Sequence, residues 1–594
     1  MADNEAMQAE NVGSVAHYYG IPKLTFAHPA RTLILDCFPS GTGDFRNVVL
    51  TGTAGEGKTS LCFELVQELT GRPANGHGGG VEQIQIESPA GPRSVTLIYD
   101  VTGWRKKTNG SLTADHVDVL RRMAESSFAG TNEFFVLAVN DGQMHELFRS
   151  LPDDAPQVVR QLQKELIGLH ARGDQDSGSR LRMINLSTVP SEKIMELCLG
   201  AVLDRPEWCC LSEESESPLF SASSSLSRNY ARLNTAEVRS KLVTLARIAD
   251  VTGHHLPTRG VLCLLTNALL GHPDAKDRVL KPGAEANAIV RAGSAHRAAL
   301  HRTLFGENLP PNARRKREIY GFLSMLHIGD ETTNDLDELL IFGARDQTLA
   351  ASYRELVAPD PFMQRSPEFD NHLTLYIRGD FVNQEETAPF LGELAAERRR
   401  VFLQASPQQM NSFRLWQTTV FHHAREYLDE VLLPLSGGHA PSRLHLRRLA
   451  SGLTRIWTGL LTADQANEVY LATGLDLTTS PVSDIYLAEL GLDSDPVGLE
   501  IVLKQSTTMP EVVLRRDGKE FRFALSLPRF EFLCRVADGA MPSSFSRESC
   551  ADFMSLKQRC LRDLQLRPNS KSLHLLEIHG AGMVHKHPIY LPAQ

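Results

Sequence analysis

One octapeptide, Gly52-Thr53-Ala54-Gly55-Glu56-Gly57-Lys58-Thr59, constrains this chain more than any other stretch. It fits the pattern of a glycine, four residues and then Gly-Lys-Ser/Thr, which is the P-loop. An apolar run at 47–50 precedes it, and an amphipathic run that stops at Gly71 follows it. These flanks predict a strand, a loop and a helix in that order, which is the context that the motif requires.

The chemistry of the motif follows from its backbone. Glycines let the chain curl so that successive N–H groups point at phosphate oxygens, and the helix N-terminus adds partial positive charge. Lys58 is expected to reach the β and γ phosphates of ATP, and Thr59 to give its hydroxyl to Mg²⁺. The alternative is a glycine-rich turn that arose by chance. The predicted nucleotide-binding residues are Gly52, Ala54, Gly55, Glu56, Gly57, Lys58, Thr59 and Ser60.

An acidic residue, Asp100, directly follows an apolar run at 94–99. A buried strand that carries a carboxylate to the tip of the sheet is the Walker B pattern, so Asp100 is predicted to be catalytic and to hold the Mg²⁺ shell. The alternative is an aspartate that makes a turn at the strand end. Remodelling ATPases place a glutamate directly after this aspartate, whereas this chain has Val101.

Another buried strand, predicted at 134–139, ends in Asn140-Asp141-Gly142. Asn140 is a candidate sensor of the γ-phosphate, and Asp141 is a candidate for orienting the attacking water in place of the missing glutamate. Asn-Asp-Gly is also a turn sequence, so a simple strand-to-helix turn remains the alternative.

Composition and net charge limit the classes of protein to which this chain can belong. The chain has 594 residues and a net charge of −9, so its surface as a whole does not indicate nucleic-acid binding. It has no apolar run near 18 residues and no basic-then-apolar start, so we expect a cytoplasmic protein without a membrane segment. The nine cysteines include no Cys-x-x-Cys pair, which argues against a structural zinc site.

Five short apolar strands separated mainly by helices predict an α/β fold with a parallel sheet, whose ligand lies at the carboxyl ends of the strands. A P-loop NTPase core, a helical lid, a mainly helical region and a small C-terminal α+β domain, with winged-helix-like character as one option, are expected in turn. The predicted segments are a leader at 1–30, the core at 31–190, the lid at 191–275, the partner-binding region at 276–475 and the C-terminal domain at 476–594.

The predicted lid has an arginine near the start of one of its helices. A helix is predicted from Thr258 to Leu270, with Arg259 in its first turn. A helical lid with an arginine at the start of one helix resembles the sensor-2 arrangement of AAA+ ATPases. The resemblance implies that Arg259 reaches the phosphates and couples nucleotide state to lid position. A solvated first-turn arginine is the alternative.

The order of motifs resembles the ATPase subunits of bacterial anti-phage defence systems, above all that of phosphorothioation-dependent DNA restriction. The resemblance implies an ATPase that works as an oligomer with partner proteins, with double-stranded DNA as a further candidate partner. It is carried by the P-loop, Val139–Gly142, Arg182–Ser187, Leu256–Arg259, Leu304–Leu309, Arg398–Phe402 and Gly452–Arg455. In that family Trp-Cys-Cys-like segments carry several spaced cysteines, whereas this chain has only Cys209 and Cys210 there, which argues against a metal role.

Two other functions remain open at this point. A nucleotide-gated scaffold that barely hydrolyses ATP agrees with Val101, and a replication-initiator-like ATPase agrees with a DNA-binding C-terminal domain. Three basic clusters are each compatible with a trans-acting arginine finger, a phosphate-backbone contact or a solvated helix face. They are 314–317, 398–400, and Arg447-Arg448 with Arg455.

Overall fold

The computed structural model describes residues 24–39, 44–74, 80–88, 91–101, 104, 110–173, 180–212, 215–358, 368–381, 384–459, 461, 468–472, 487–491, 498–504, 508–516, 518–545, 547–563, 572–579 and 583–590. Most of the predicted leader, residues 1–23, therefore lies outside the described residues. The chain divides into two compact units. The first comprises residues 1–247, 255–321 and 359–367, and the second comprises 248–254, 322–358 and 368–594.

A five-stranded sheet with the order β2-β3-β4-β1-β5 forms the centre of the first unit. Its strands are β1 (Asn47–Thr51), β2 (Val81–Ile86), β3 (Arg93–Ile98), β4 (Glu133–Ala138) and β5 (Leu181–Asn185). Strand β1 pairs in parallel with β4 and β5, and β3 pairs in parallel with β4. The predicted α/β class is confirmed.

The expectation that this sheet is parallel throughout is wrong at one edge, where β2 pairs with β3 in the antiparallel sense. Only residues 87–92 separate these two strands. A parallel pair needs a crossover connection of about a dozen residues or more. A segment as short as 87–92 can therefore only form a hairpin.

Helices cover both faces of the sheet, because alternate residues of each strand point to opposite sides. Val48 and Leu50 enter a core with helices α1 (Ala30–Leu35) and α2 (Lys58–Thr70). Val49 enters a second core. The helices that contribute to that core are α3 (Ala114–Ala129), α4 (Asp141–Arg149) and α5 (Gln157–Arg172).

Helices follow from residue 191 onward. They are α6 (Ser191–Leu203), α7 (Ser225–Leu233), α8 (Ala236–Val251), α9 (Thr258–Leu270), α10 (Ala284–Arg291), α11 (Leu300–Thr303), α12 (Pro311–Arg315) and α13 (Glu318–Met325). Across the described part of the chain, the structure contains no helix with the length and apolar character needed to cross a membrane.

The second unit contains further helices and a small antiparallel sheet. The helices are α14 (Asn334–Phe342), α15 (Ala350–Leu356), α16 (Phe369–Arg378), α17 (Gln384–Gln404), α18 (Pro407–Ser412), α19 (Ala424–Glu426), α20 (Leu433–Ser436), α21 (Arg443–Thr458), α22 (Leu527–Ala537) and α23 (Arg547–Asp563). The strands are β6 (Glu468–Ala472), β7 (Leu487–Gly491), β8 (Leu499–Val502), β9 (Glu511–Arg516), β10 (Lys519–Ala524), β11 (Ser572–His579) and β12 (Met583–Tyr590). Strands β8, β9 and β10 form the sheet, whereas β6–β7 and β11–β12 are hairpins.

Helices α21 and α22 approach each other closely at Gly452. A Cβ atom at that position would lie 2.5 Å from the carbonyl oxygen of Leu533, so only glycine permits the contact. Trp457, near the end of α21, is fully buried and donates its Nε1–H to the carbonyl of Phe553 at 2.9 Å. The segment 449–459, which is dense in apolar and small residues, is therefore a helix that packs in the core of this unit.

A network of charged side chains, here named the Glu426 cluster, joins three parts of the second unit. Its members are His423, Glu426, Glu430, His445, Arg448 and Asp538. One oxygen of Glu426 lies 3.1 Å from Nδ1 of His445, and the other lies 2.8 Å from Nη1 of Arg448. Burial acts to raise the pKa of Glu426, but hydrogen bonds from His423 and His445 and the charge of Arg448 hold it far below its ordinary value.

Candidate phosphate-binding site

The P-loop joins β1 to α2 with the geometry that the motif predicts. Gly52, Gly55 and Gly57 have φ angles of 123°, 92° and 96°, which lie in the region that favours glycine. The N-cap residue of α2 is Gly57, which has no side chain to cap the helix, and no acidic residue occupies the first turn. The first backbone N–H groups of a helix have no partner within it, so this end can bind an anion.

Lys58 spans this loop. Its ammonium donates to the carbonyl oxygens of Gly52 at 3.0 Å and Thr53 at 2.7 Å, and an ammonium has three protons to donate. Burial and the charge of Arg259 lower the pKa of Lys58 to about 8, against the opposing charges of Glu56 and Asp141. A pKa above neutrality leaves the ammonium mostly charged at pH 7, as a phosphate ligand requires.

The side chain of Glu56 is buried below the loop and collects donors from three segments. One oxygen, Oε1, accepts from Thr53 Oγ1 at 2.7 Å and from Ser187 Oγ at 3.2 Å, and it lies 2.7 Å from Nε2 of His255. Burial acts to raise the pKa of Glu56, but these contacts outweigh it and hold the pKa below its ordinary value. We name Thr53, Glu56, Ser187 and His255 the Glu56 cluster.

Arg259 lies against the loop, whereas the contact with phosphates that the sensor-2 resemblance implies stays a prediction. Its backbone N–H donates to the carbonyl of Gly55 at 3.0 Å. A Cβ atom added to Gly55 would lie 2.8 Å from Cβ of Arg259, so a side chain at that position would collide with the arginine. The guanidinium is exposed and its charge reaches Lys58, which places a second cation at the mouth of the loop.

Asp141 lies at the strand tips, and its charge reaches Lys58. It begins α4, directly after β4, and β4 is the neighbour of β1 in the sheet. Its charge raises the pKa of Lys58, and its buried oxygen Oδ1 has no hydrogen-bond partner among the described residues. Asn140 precedes the helix, and its N–H donates to Oε1 of Gln143 at 3.1 Å, so it has a role in starting α4 as well.

Asp100 lies one strand further away, because β4 separates β3 from β1. It is exposed and follows β3. Thr59 lies in the first turn of α2. Within the described ranges, no group of three or more His, Cys, Asp and Glu side chains is arranged to hold a metal ion. A Mg²⁺ ion on Thr59 and Asp100 would therefore need phosphate oxygens and water as its other ligands, which is its usual coordination.

The chain has no match among protein-family models, curated proteins or solved structures. Its function has to be argued from the geometry of its own residues.

Sequence reasoning missed two members of the Glu56 cluster and the part that the Glu56 side chain plays. Ser187 and His255 are far from the P-loop in the chain, but Ser187 Oγ accepts from the N–H of Thr53 at 3.0 Å. Polar residues follow the strand at 181–185, but only the sheet order shows that this strand lies beside β1. No pattern in the sequence indicated His255.

Two of the three basic clusters are committed to contacts within the second unit. Arg398 pairs with Asp337, Arg399 donates to the carbonyl of Ile328, and Arg400 pairs with Glu397. Among Arg447, Arg448 and Arg455, Arg448 belongs to the Glu426 cluster, and Arg455 donates to the carbonyl of Val536 at 2.9 Å. Arg315 and Lys316, in the third cluster, are exposed. A surface role is therefore better suited to 314–317 than to the other two clusters.

Proposed function

We propose that this protein binds ATP with Mg²⁺ at residues 52–60 and hydrolyses it, as an AAA+-like or STAND-like P-loop ATPase that acts as a nucleotide-driven switch. The observation that supports this most strongly is the arrangement of Lys58. Its ammonium lies across a glycine loop, next to an uncapped helix N-terminus, and two of its protons go to loop carbonyls. This arrangement suits a terminal phosphate of a nucleotide.

Each residue of the site has a separate role in the proposed phosphoryl transfer. Backbone N–H groups of the loop hold the phosphates, and Lys58 neutralises charge on the β and γ phosphates. Asp141 is suited to orient the attacking water, because its buried oxygen lacks a partner among the described residues and its charge reaches Lys58. Arg259 would stabilise charge that develops on the γ-phosphate. Mg²⁺, held by Thr59 and Asp100, would polarise the phosphates.

The finer architecture belongs to the same proposal. We propose that 191–275 is a helical lid over the nucleotide, that 276–475 binds partner proteins, and that 476–594 is an α+β domain. The close approach of Arg259 to Gly55 supports the lid assignment, because it links the start of α9 to the loop.

Replacing Lys58 tests the proposal. We expect Lys58→Ala to weaken binding of Mg²⁺-ATP by about 100-fold or more, since it leaves phosphate charge unpaired in a partly buried site. Calorimetric titration and steady-state phosphate release measure the effect. Lys193→Ala is the matched control, because Lys193 is exposed and pairs with Glu196 on the surface. Equal ATP affinity in wild type and Lys58→Ala would contradict the proposal.

A nucleotide-gated scaffold with little hydrolysis is the second candidate, and one observation favours it. Val101, at the position where remodelling ATPases have glutamate, is buried in an apolar core. The scaffold function requires tight ATP binding with no phosphate release, alone or with duplex DNA. Release that depends on Asp141 would exclude it.

The proposal also includes a cellular setting. The motif resemblance leads us to propose an oligomeric, cytoplasmic complex in anti-phage defence, with partner proteins and double-stranded DNA. A replication-initiator-like ATPase is the alternative, and it predicts DNA binding that depends on the second unit. Titration of labelled duplex DNA at several salt concentrations measures DNA affinity, and it distinguishes both settings from a protein that does not bind DNA.

A further inference from the structure

Two separate contacts fasten the P-loop to residues 255–259. The N–H of Arg259 donates to the carbonyl of Gly55 at 3.0 Å, and Nε2 of His255 lies 2.7 Å from Oε1 of Glu56. Gly55 and Glu56 are consecutive, so both contacts act on the same short piece of the loop. That piece cannot shift without moving 255–259 or breaking both contacts.

Glu56 itself is costly at this place. The residue is 1% exposed, and its second oxygen, Oε2, has no hydrogen-bond partner among the described residues. Burying a charge is unfavourable, and a carboxylate inside a loop that binds polyphosphate also repels the ligand. A neutral side chain would avoid both penalties, so the carboxylate calls for a role beyond filling space.

The segment held by Glu56 is tied further into the first unit. Ser191, the first residue of α6, accepts from the N–H of Leu256 at 2.9 Å, and its hydroxyl lies 3.4 Å from Nδ1 of His255. Ser187 connects Glu56 to the turn after β5. The carboxylate is thus a node between the loop, β5 and the start of α9.

We propose that the Glu56 cluster is a positioning device that couples the conformation of the P-loop to the position of Arg259 and α9. This inference depends on the proposed nucleotide binding by the loop. Phosphates that settle on 52–59 add negative charge beside Glu56 and fix the backbone of Gly55. Both changes act on His255 and Arg259 through the two contacts. Coupling of this kind is reciprocal, so the position of 255–259 also sets the affinity of the loop for nucleotide.

A double-mutant cycle measures the coupling. We expect Arg259→Ala to weaken ATP binding about tenfold and His255→Ala about fivefold. The double variant should bind about as weakly as Arg259→Ala alone, because an arginine that is no longer positioned contributes little. Glu56→Gln keeps an acceptor for Thr53 and Ser187, so it should bind ATP more tightly than Glu56→Ala.

His272 provides the matched control. It is a buried histidine of the same unit, and its ring contacts the N–H of Asp274 and the hydroxyl of Ser294 rather than the loop. His272→Ala should add to the effect of Arg259→Ala independently. If His255→Ala and Arg259→Ala are equally additive, the proposal is overturned.

Hydrogen exchange of the free protein keeps this test separate from nucleotide binding. His255→Ala should speed exchange in both 52–60 and 256–262, while β4 and β5 stay protected. Unchanged exchange in either segment overturns the coupling. If wild type binds no ATP, the proposed function fails, and the exchange result still decides whether the two segments are linked.

Discussion

The Glu56 cluster and the Glu426 cluster are built from similar parts and differ in how completely those parts are paired. Each centres on a carboxylate with a nearby arginine and with histidine partners, one for Glu56 and two for Glu426. In the Glu426 cluster both carboxylate oxygens have partners, and Arg448 also pairs with Asp538. Around the P-loop, by contrast, Oε2 of Glu56 and Oδ1 of Asp141 are buried without partners in the described part of the chain.

This difference agrees with a structural role for the Glu426 cluster and with the binding role that we propose for the P-loop. Buried polar groups are normally hydrogen-bonded, so a site that leaves several of them unpaired loses stability unless a ligand completes it. The Glu426 cluster completes itself and joins segments of the second unit. In our proposal, phosphate oxygens accept from the N–H groups of the loop and of α2, and the attacking water donates to Oδ1 of Asp141. The predictions below test this contrast.

The largest effect is expected from Glu426→Ala. It leaves His423, His445 and Arg448 without their shared carboxylate, which should lower the free energy of unfolding of the second unit by about 3 kcal/mol. Thermal and denaturant unfolding measure the loss, with Asp429→Ala as the exposed control, because Asp429 pairs with Arg425 on the surface. Affinity for ATP should be unchanged. A stable Glu426→Ala variant would remove the structural half of the comparison.

Asp141→Asn should act on chemistry rather than on stability. Loss of the carboxylate is expected to slow ATP turnover by about 100-fold, the usual range for a residue that orients or deprotonates a nucleophile. ATP binding should persist, because a negative charge near Lys58 is removed. Asp115→Asn is the matched control, since Asp115 lies in the first turn of α3 as Asp141 lies in that of α4. Normal turnover in Asp141→Asn would assign this residue to the helix start alone.

A pair of glycine substitutions compares strain alone with strain plus a collision. Gly55→Ala and Gly57→Ala both force a side chain into a left-handed conformation, which costs about 1–2 kcal/mol. At Gly55 the new Cβ would meet Cβ of Arg259 at 2.8 Å, whereas at Gly57 no atom of the described residues lies within 4 Å. We expect Gly55→Ala to bind ATP about tenfold more weakly than Gly57→Ala. Equal affinities would show that Arg259 does not press on the loop.

The smallest effect is a pH dependence of the second unit. The hydrogen bond with Glu426, helped by the charges of Glu426 and Glu430 and opposed by burial, raises the pKa of His445 above 6.5. A raised pKa means that the folded state holds this proton more tightly. The stabilisation is therefore present below pH 6.5 and is lost as the pH rises through the folded pKa.

Thermal unfolding measured between pH 6 and pH 8.5 should show this loss, and His445→Gln should flatten it. Arg448 and His423 also face Glu426, so Glu426 remains paired in that variant. An identical pH profile in wild type and His445→Gln would contradict the assignment.

The sequence was sufficient for local structure and insufficient for long-range contacts. Periodicity and glycine spacing predicted β1, the loop and α2, because those signals are carried by adjacent residues. The antiparallel sense of the pairing between β2 and β3 follows from the length of the loop that joins them, and the apolar pattern of the strands contains no information on it. His255 could not be predicted, because its contact with Glu56 is set by the packing of α6 and α9.

Candidate residues at the strand ends show the same limit. Asn140, Asp141 and Asp100 all follow predicted strands, and nothing local tells which strand borders β1. The sheet order puts Asp141 next to the loop and Asp100 one strand away. The Mg²⁺ role of Asp100 stays a prediction.

Hydrogen exchange with and without Mg²⁺-ATP tests the central claim most directly. The free protein and the protein with millimolar nucleotide are compared in peptides that cover 52–60 and 443–458. We predict slower exchange in 52–60 on addition of nucleotide and no change in 443–458, because only the first site is completed by a ligand. Identical exchange of 52–60 in both samples would contradict the claim that this loop binds nucleotide.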